Sequence, residues 1–255
     1  MNKLAHLLLC SLIAINTLAP LKGTDNKSTK WYEDVFDFLF TERLGYTEVS
    51  KETENFVRSL QKELGMQNER IRIKRMSHFA EKTMMGKRNA CVHSFSNLMI
   101  IGEKWFNTLS EPEKRALIGH ELMHLKKHHQ GKQLILALST TAIANLLTNE
   151  IAEKMSSQTS VSPHRRLGNV LLVQMLLAIP NAILTSWYSR QCEREADILA
   201  ARQLKCSSGG VQLFKRLLDE AVDPQSRFAF KRFLANLFAS HPCCEERIKY
   251  LQELA

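Results

Sequence analysis

The chain has 255 residues, 44% apolar and 24% charged, which is enough for one sizeable domain with a real core. Ten Gly and six Pro argue against a turn-rich all-β fold and against long disordered tracts. The formal net charge of +9 would suit nucleic acid or an anionic membrane surface. However, the basic residues are scattered in pairs such as Lys126-Lys127 and Arg165-Arg166, with no basic stripe interleaved with aromatics, so nucleic-acid binding is set aside.

Residues 1–22 pair a short basic start, Met-Asn-Lys, with an uncharged stretch from Leu4 to Leu21. They are expected to be a signal peptide or an N-terminal membrane anchor. A polar linker follows over 23–30, and the rest, 31–255, is expected to form one domain. An apolar cluster over 31–44 and apolar residues at helical spacing over 47–64 predict two helices, the second stopped by Gly65. Strict alternation over 70–75 predicts a half-buried strand. Residues 90–95 and 97–101 predict two more, for a sheet of about three strands.

Ser110-Glu111-Pro112-Glu113 is a capping box with Pro in the first turn, and it opens a helix expected to run to about Gln130. Two uncharged stretches, 133–149 and 167–189, then form an apolar hairpin insert at about 133–189. Only the second is clearly long enough to cross a bilayer core of ~20 residues. A long helix is expected from about 167 to 203, with shorter helices near 209–222, 226–238 and 243–254. Six cysteines include no CxxC pair, which disfavours a thiolate zinc ribbon or redox dithiol. One or two disulfides stay open for an exported domain, with no pairing chosen by the sequence.

His120-Glu121-Leu122-Met123-His124 is an HExxH motif. Residues i and i+4 share one face of a helix, so both imidazoles can reach one ion. Glu121 sits one step around, placed to take a proton from an attacking water as general base. A hydrolytic metal site needs a third protein ligand and one open position. Glu193, in Arg190-Gln-Cys-Glu-Arg-Glu-Ala-Asp197 on the second long helix, can supply it. Considered alone it is an ordinary surface carboxylate; beside HExxH it becomes the third ligand. Asp197, one turn on, could accept the outer N–H of a ligand imidazole, and the small Ala196 would let the two helices approach closely. His128 and His129 are read as solvated or membrane-proximal, because the ligand set is already complete.

With these residues assembled, the chain resembles the HtpX-like zinc metallopeptidases, a group that includes the CaaX prenyl protease and mitochondrial Oma types. The resemblance spans about residues 70–250. It rests on Asn89-Ala90 before an apolar strand, the HExxH helix, Glu193-x-x-Ala196-Asp197, and Ser240-His241-Pro242 followed by Arg247-Ile248. It implies a gluzincin-like fold, mainly α with a small β-sheet, with two apolar helices between the HExxH helix and the Glu-ligand helix. It implies one Zn2+ per chain and endopeptidase activity on polypeptides, the expected clients being misfolded proteins or membrane and envelope proteins in quality control. By similarity, Asn89 and Ala90 border the substrate cleft, where an extended peptide could add as a strand. His241 lies near the metal and is the candidate second electrophile for the oxyanion, with Arg247 behind it.

The single N-terminal apolar stretch, where such proteins usually begin with two, favours a catalytic domain on the exported side of a membrane. The basic residues Lys154, Arg165 and Arg166 between the hairpin arms fit an inside loop. The competing class is a non-catalytic membrane scaffold that keeps zinc for stability. Glu121 counts against it, since a structural site has no use for that base.

Overall fold

The computed structural model describes residues 46–76, 90–94, 96–157, 163–220 and 239–254. The expectations for 1–22, 31–44 and 226–238, and the position of Asn89, lie outside them. The architecture is mainly α with a small mixed β-sheet, as the sequence predicts.

Strand β1 (Thr47–Glu48) precedes helix α1 (Lys51–Glu63). The helix expected over 47–64 starts only at Lys51, because Ser50 is extended and its hydroxyl accepts the Thr53 N–H as an N-cap. Thr47 and Glu48 instead pair with Arg75 and Lys74 of β2 (Arg72–Arg75). With β3 (Ala90–His93) and β4 (Leu98–Ile101) the sheet has four strands in the order β1-β2-β4-β3. β4 runs parallel to β2 and antiparallel to β3. An interior strand is covered on both faces, which is why β4 reads as the unbroken run Leu-Met-Ile-Ile. Met99 and Ile101 enter the main core; Leu98 and Ile100 pack behind the sheet with Tyr46 and Met76. β3 is left at the sheet edge.

A short α2 (Glu103–Phe106) leads to α3 (Glu111–Lys126), the HExxH helix. Its start is fixed by Glu113, whose Oε2 accepts the Ser110 N–H at 2.7 Å. α3 is buried continuously from Ile118 to Leu125, so its polar residues lie inside the protein and need partners there. The helix does not continue to Gln130. His128 adopts φ 53°, a left-handed conformation that ends α3, and α4 (His129–Ser157) starts afresh. α5 (Pro163–Leu204) returns along α4 and then reaches α3. α6 (Ser207–Glu220) and α7 (Cys244–Gln252) complete the described chain.

The approach of α5 to α3 depends on small residues. A Cβ on Gly119 would lie 2.5 Å from Leu204 Cδ1 and 3.3 Å from Ala200 Cβ, and Ala196 is fully buried at the same crossing. This seam brings the HExxH face against the Glu193 face.

The apolar parts of α4 and α5 project as a hairpin. His129–Met155 and Leu167–Leu204 are long and apolar enough to cross a membrane. The outward residues include Ile143, Leu147, Leu171, Met175 and Trp187, all exposed. Both helices outrun the 133–149 and 167–189 stretches, because helical hydrogen bonding carries on into the polar ends. Among the described residues Cys192, Cys206, Cys243 and Cys244 are free thiols.

Glu103 ties α2 to the start of α1. Its Oε1 accepts the Ser50 N–H at 2.7 Å and the Thr53 hydroxyl at 2.9 Å. Burial works to raise its pKa, but those hydrogen bonds, with Arg75 nearby, outweigh burial and hold it below the usual carboxylate range. A depressed carboxylate contributes stability above its unfolded pKa of ~4.3 and loses it as pH falls through the folded value. Glu103→Gln should therefore cost about 1–3 kcal/mol at pH 7. The gap from the parent protein, read as a urea midpoint, should close below about pH 4; a pH-independent gap would rule the account out.

Candidate metal centre

α3 contributes His120, Glu121 and His124, and α5 contributes Glu193 and Asp197; all five are buried. They line a cleft of about 610 Å3 together with Ala90 of β3 and His241. The i, i+4 spacing brings His120 Nε2 and His124 Nε2 within 3.0 Å of each other. Across the seam, Glu193 Oε2 lies 3.3 Å from His120 Nε2 and Glu193 Oε1 lies 3.2 Å from His124 Nε2. Donors bound at ~2.0–2.1 Å around a tetrahedral zinc stand ~3.3–3.4 Å apart. The separations are near that spacing, with a different Glu193 oxygen facing each imidazole, and one donor atom from each of His120, His124 and Glu193 lies within 4.8 Å of the others, so the three form a group that could hold a metal ion.

Two further observations fit a cation there. Glu193 Oε2 is buried yet has no hydrogen bond of good alignment, although His241 Nδ1 approaches it to 2.9 Å and Arg247 Nη1 to 3.5 Å. The charge balance is also negative: Glu121, Glu193 and Asp197 gather around one buried guanidinium, Arg247, and a divalent ion would neutralise the remainder. Burial disfavours a charged His120, but Asp197 and Glu193 outweigh it and raise its pKa. The site therefore favours positive charge at the position the ring nitrogens face.

Asp197 accepts from His120 Nδ1 at 2.8 Å, the contact the sequence suggested. The carboxylate is itself held from α7. Arg247 donates to it twice, from Nε at 2.8 Å and Nη2 at 2.6 Å, and the Tyr250 hydroxyl donates to Oδ2. Arg247 also stacks 4.0 Å over the Phe214 ring. The guanidinium is thus held against Asp197 inside the protein, with Nη1 3.5 Å from the Glu193 oxygen that His241 also approaches. Tyr250, one turn from Arg247, was not singled out by the sequence; the only available signal was their shared i, i+3 face on a short helix.

Glu121 is buried beside the cluster, and burial raises its pKa, suiting a group that takes a proton near neutrality. Cys91, also on the cleft wall, is pushed up to about 12 by burial and by the Glu121 charge, so its thiol stays protonated. His241 is 64% exposed in its side chain; its contact with Glu193 raises its pKa against the pull of burial. Ala90 is buried at the start of edge strand β3. Cys192 is buried, on a different face of α5 from Glu193.

The reading of the two histidines after HExxH divides. His128 is exposed. His129 is the reverse of the expectation: it is 1% exposed and its Nδ1 lies 3.0 Å from His124 Nδ1. The left-handed turn at His128 is the reason, since it redirects the chain so that residue 129 points back at the site. Gln130 follows, accepting the Ser94 N–H at 2.7 Å and donating to the Val92 carbonyl at 2.5 Å, so its carboxamide covers that end of the β3 edge.

A mainly helical domain with a small mixed sheet and a buried His-His-Glu group able to hold a metal is the class that this fold and site define. The chain belongs to peptidase family M48, whose sequence profile matches residues 48–255. It is similar to a Protease HtpX homolog of Methanocaldococcus jannaschii, 29% identical over 181 residues, covering 62% of this chain and 61% of the relative. It is also similar to a Protease HtpX homolog of Bordetella petrii, 26% identical over 172 residues, covering 62% and 57%. A third relative is Protease HtpX of Haemophilus influenzae, 25% identical over 171 residues, covering 62% and 60%. The chain thus spans about three-fifths of the length of these relatives. No solved structure matches it.

Removing the Tyr250 hydroxyl deprives a buried carboxylate of a donor. Tyr250→Phe should cost about 1.5–3 kcal/mol of folding stability, measured by thermal or urea unfolding without metal. A change within error would mean that Arg247 and His120 satisfy Asp197 without the hydroxyl.

Proposed function

We propose that the protein is a zinc-dependent endopeptidase working at a membrane. The observation that carries the reading is the convergence of His120, His124 and Glu193, with donor atoms within 4.8 Å of one another, and the buried Glu121 beside them in an open cleft. Those three residues would hold the ion. Bound there, zinc would supply Lewis acidity, lowering the pKa of water and polarising a scissile carbonyl. Glu121 takes the proton of the attacking water and returns it to the departing amine. His241, at the mouth and in contact with Glu193, offers a donor for the negative charge developing on the carbonyl oxygen. An extended peptide lies along β3, with Ala90, and Asn89 before it, at the start of that edge.

The relatives named Protease HtpX support this activity, and the exposed apolar hairpin supports a membrane setting. Misfolded membrane or envelope proteins are the proposed clients. We place the catalytic domain on the exported side, with residues 1–22 as a signal or anchor and the basic residues Lys154, Arg165 and Arg166 inside. Protease accessibility in oriented vesicles tests this: sites in 46–126 and at the Arg165-Arg166 pair should lie on opposite sides. Equal accessibility would refute a spanning hairpin.

Activity should follow the chemistry of the site. Casein cleavage should be lost with chelator and restored by zinc. Glu121→Gln should bind zinc like the parent yet lose at least 100-fold in rate, on the scale of general-base catalysis. His241→Ala should lose on the order of 10–1,000-fold in kcat. Cleavage by Glu121→Gln at the parent rate would overturn the assigned base, and chelator-insensitive cleavage would overturn the metal. A protein that binds zinc tightly but cleaves nothing would be the scaffold instead.

A further inference from the structure

The two imidazoles that face the cluster are supported differently on their far sides. His120 Nδ1 meets a carboxylate, Asp197, at 2.8 Å. His124 Nδ1 meets the Nδ1 of a third imidazole, His129, at 3.0 Å. His129 Nε2 in turn lies 3.3 Å from Glu195 Oε2, and Glu195, half exposed, has Lys127 Nζ 3.5 Å from its other oxygen. A run of side chains therefore leads from the cluster to the surface through a buried histidine to which the proposed chemistry gives no part.

We infer that His129 is a positioning residue that fixes the ring orientation and tautomer of His124 for metal binding; this rests on the metal reading given above. The proton assignment has one consistent solution. A neutral imidazole has one donor and one acceptor nitrogen. If His124 offers its Nε2 lone pair to an ion, its proton sits on Nδ1, which must donate to His129 Nδ1. His129 then carries its own proton on Nε2 and donates it to Glu195. Each ring nitrogen is used once. Outer partners of this kind set ligand orientation and basicity in metal sites.

The backbone is arranged for this contact. On a continuous helix, residue 129 would sit about 140° around from His124, and His128 would share its face. The left-handed His128, φ 53°, breaks the helix, turns His128 outward and sets the His124 and His129 rings 4.9 Å apart at 79°. Gln130 fastens the same corner to β3 through Ser94 and Val92. His129 is thus held by its surroundings and not only by His124. It is also the first residue of α4, so the base of the apolar hairpin is part of the metal site.

The test is zinc affinity of the full chain in detergent, measured by competition with a fluorescent chelator, with no substrate involved. His129→Ala should weaken zinc about 10–100-fold. Asn and Leu are nearly isosteric, and Asn Oδ1 lies as many bonds from Cβ as His Nδ1. His129→Asn should therefore recover most of the affinity, and His129→Leu should not. Glu195→Gln, which keeps an acceptor oxygen, should stay within a few-fold of the parent. Ala within twofold of the parent, or Asn and Leu equal, would overturn the inference; the isosteric pair decides even if the Ala variant does not fold. Glu193→Ala separates the underlying reading: if it binds zinc as well as the parent, the metal site itself is wrong.

Discussion

The structure depends on one close crossing of two helices that brings buried carboxylates and imidazoles from both into a single cluster. Gly119 on α3 and Ala196 and Ala200 on α5 remove the bulk that would hold the helices apart. The consequence is electrostatic: three carboxylates become buried where water cannot solvate them. Asp197 is compensated by Arg247, Tyr250 and His120. Glu193 keeps an oxygen with no well-aligned donor. A protein built only for stability would not retain that oxygen, since uncompensated buried charge is among the costlier defects a core can carry.

The support around this charge comes from separate parts of the chain. α7, close to the C-terminal end, grips the far side of His120 through Asp197. The corner between α3 and α4 does the same for His124. Only the inner faces of the two rings are left to converge. Their orientation therefore reports on the docking of α7 and on the seating of the hairpin base, two elements more than 100 residues apart in sequence. Such a cluster belongs to the folded domain as a whole and has no counterpart in an isolated HExxH helix.

Much of this was legible in the sequence because local rules and tertiary requirements agree. The Ser110–Glu113 capping box marks where α3 starts, the run 98–101 reads as an interior strand, and helical spacing puts His120 and His124 on one face. Asp197 beneath His120 followed from the same periodicity. Four features escaped for one reason: each depends on where a backbone turns or on a partner distant in sequence. The break at His128 has neither Gly nor Pro to announce it, since histidine tolerates the left-handed region without requiring it. Helical counting across that break selects residue 128 in place of 129. Tyr250 and Gln130 carry no pattern until α7 and β3 are set beside their partners. The start of α1 was misjudged because Thr47 and Glu48 gain a strand partner, β2, that periodicity cannot reveal.

The carboxamide of Gln130 on β3 has a bearing on self-association. An unguarded sheet edge is a template for any extended chain, including another copy of the same protein. β3 has only four residues, and Gln130 occupies the outward positions at its Val92–Ser94 end. What remains of the described strand is Ala90 and Cys91, a stretch of roughly 7 Å at ~3.3 Å per residue. Among the described residues that is too short a free edge for a second copy of the chain to extend the sheet from molecule to molecule.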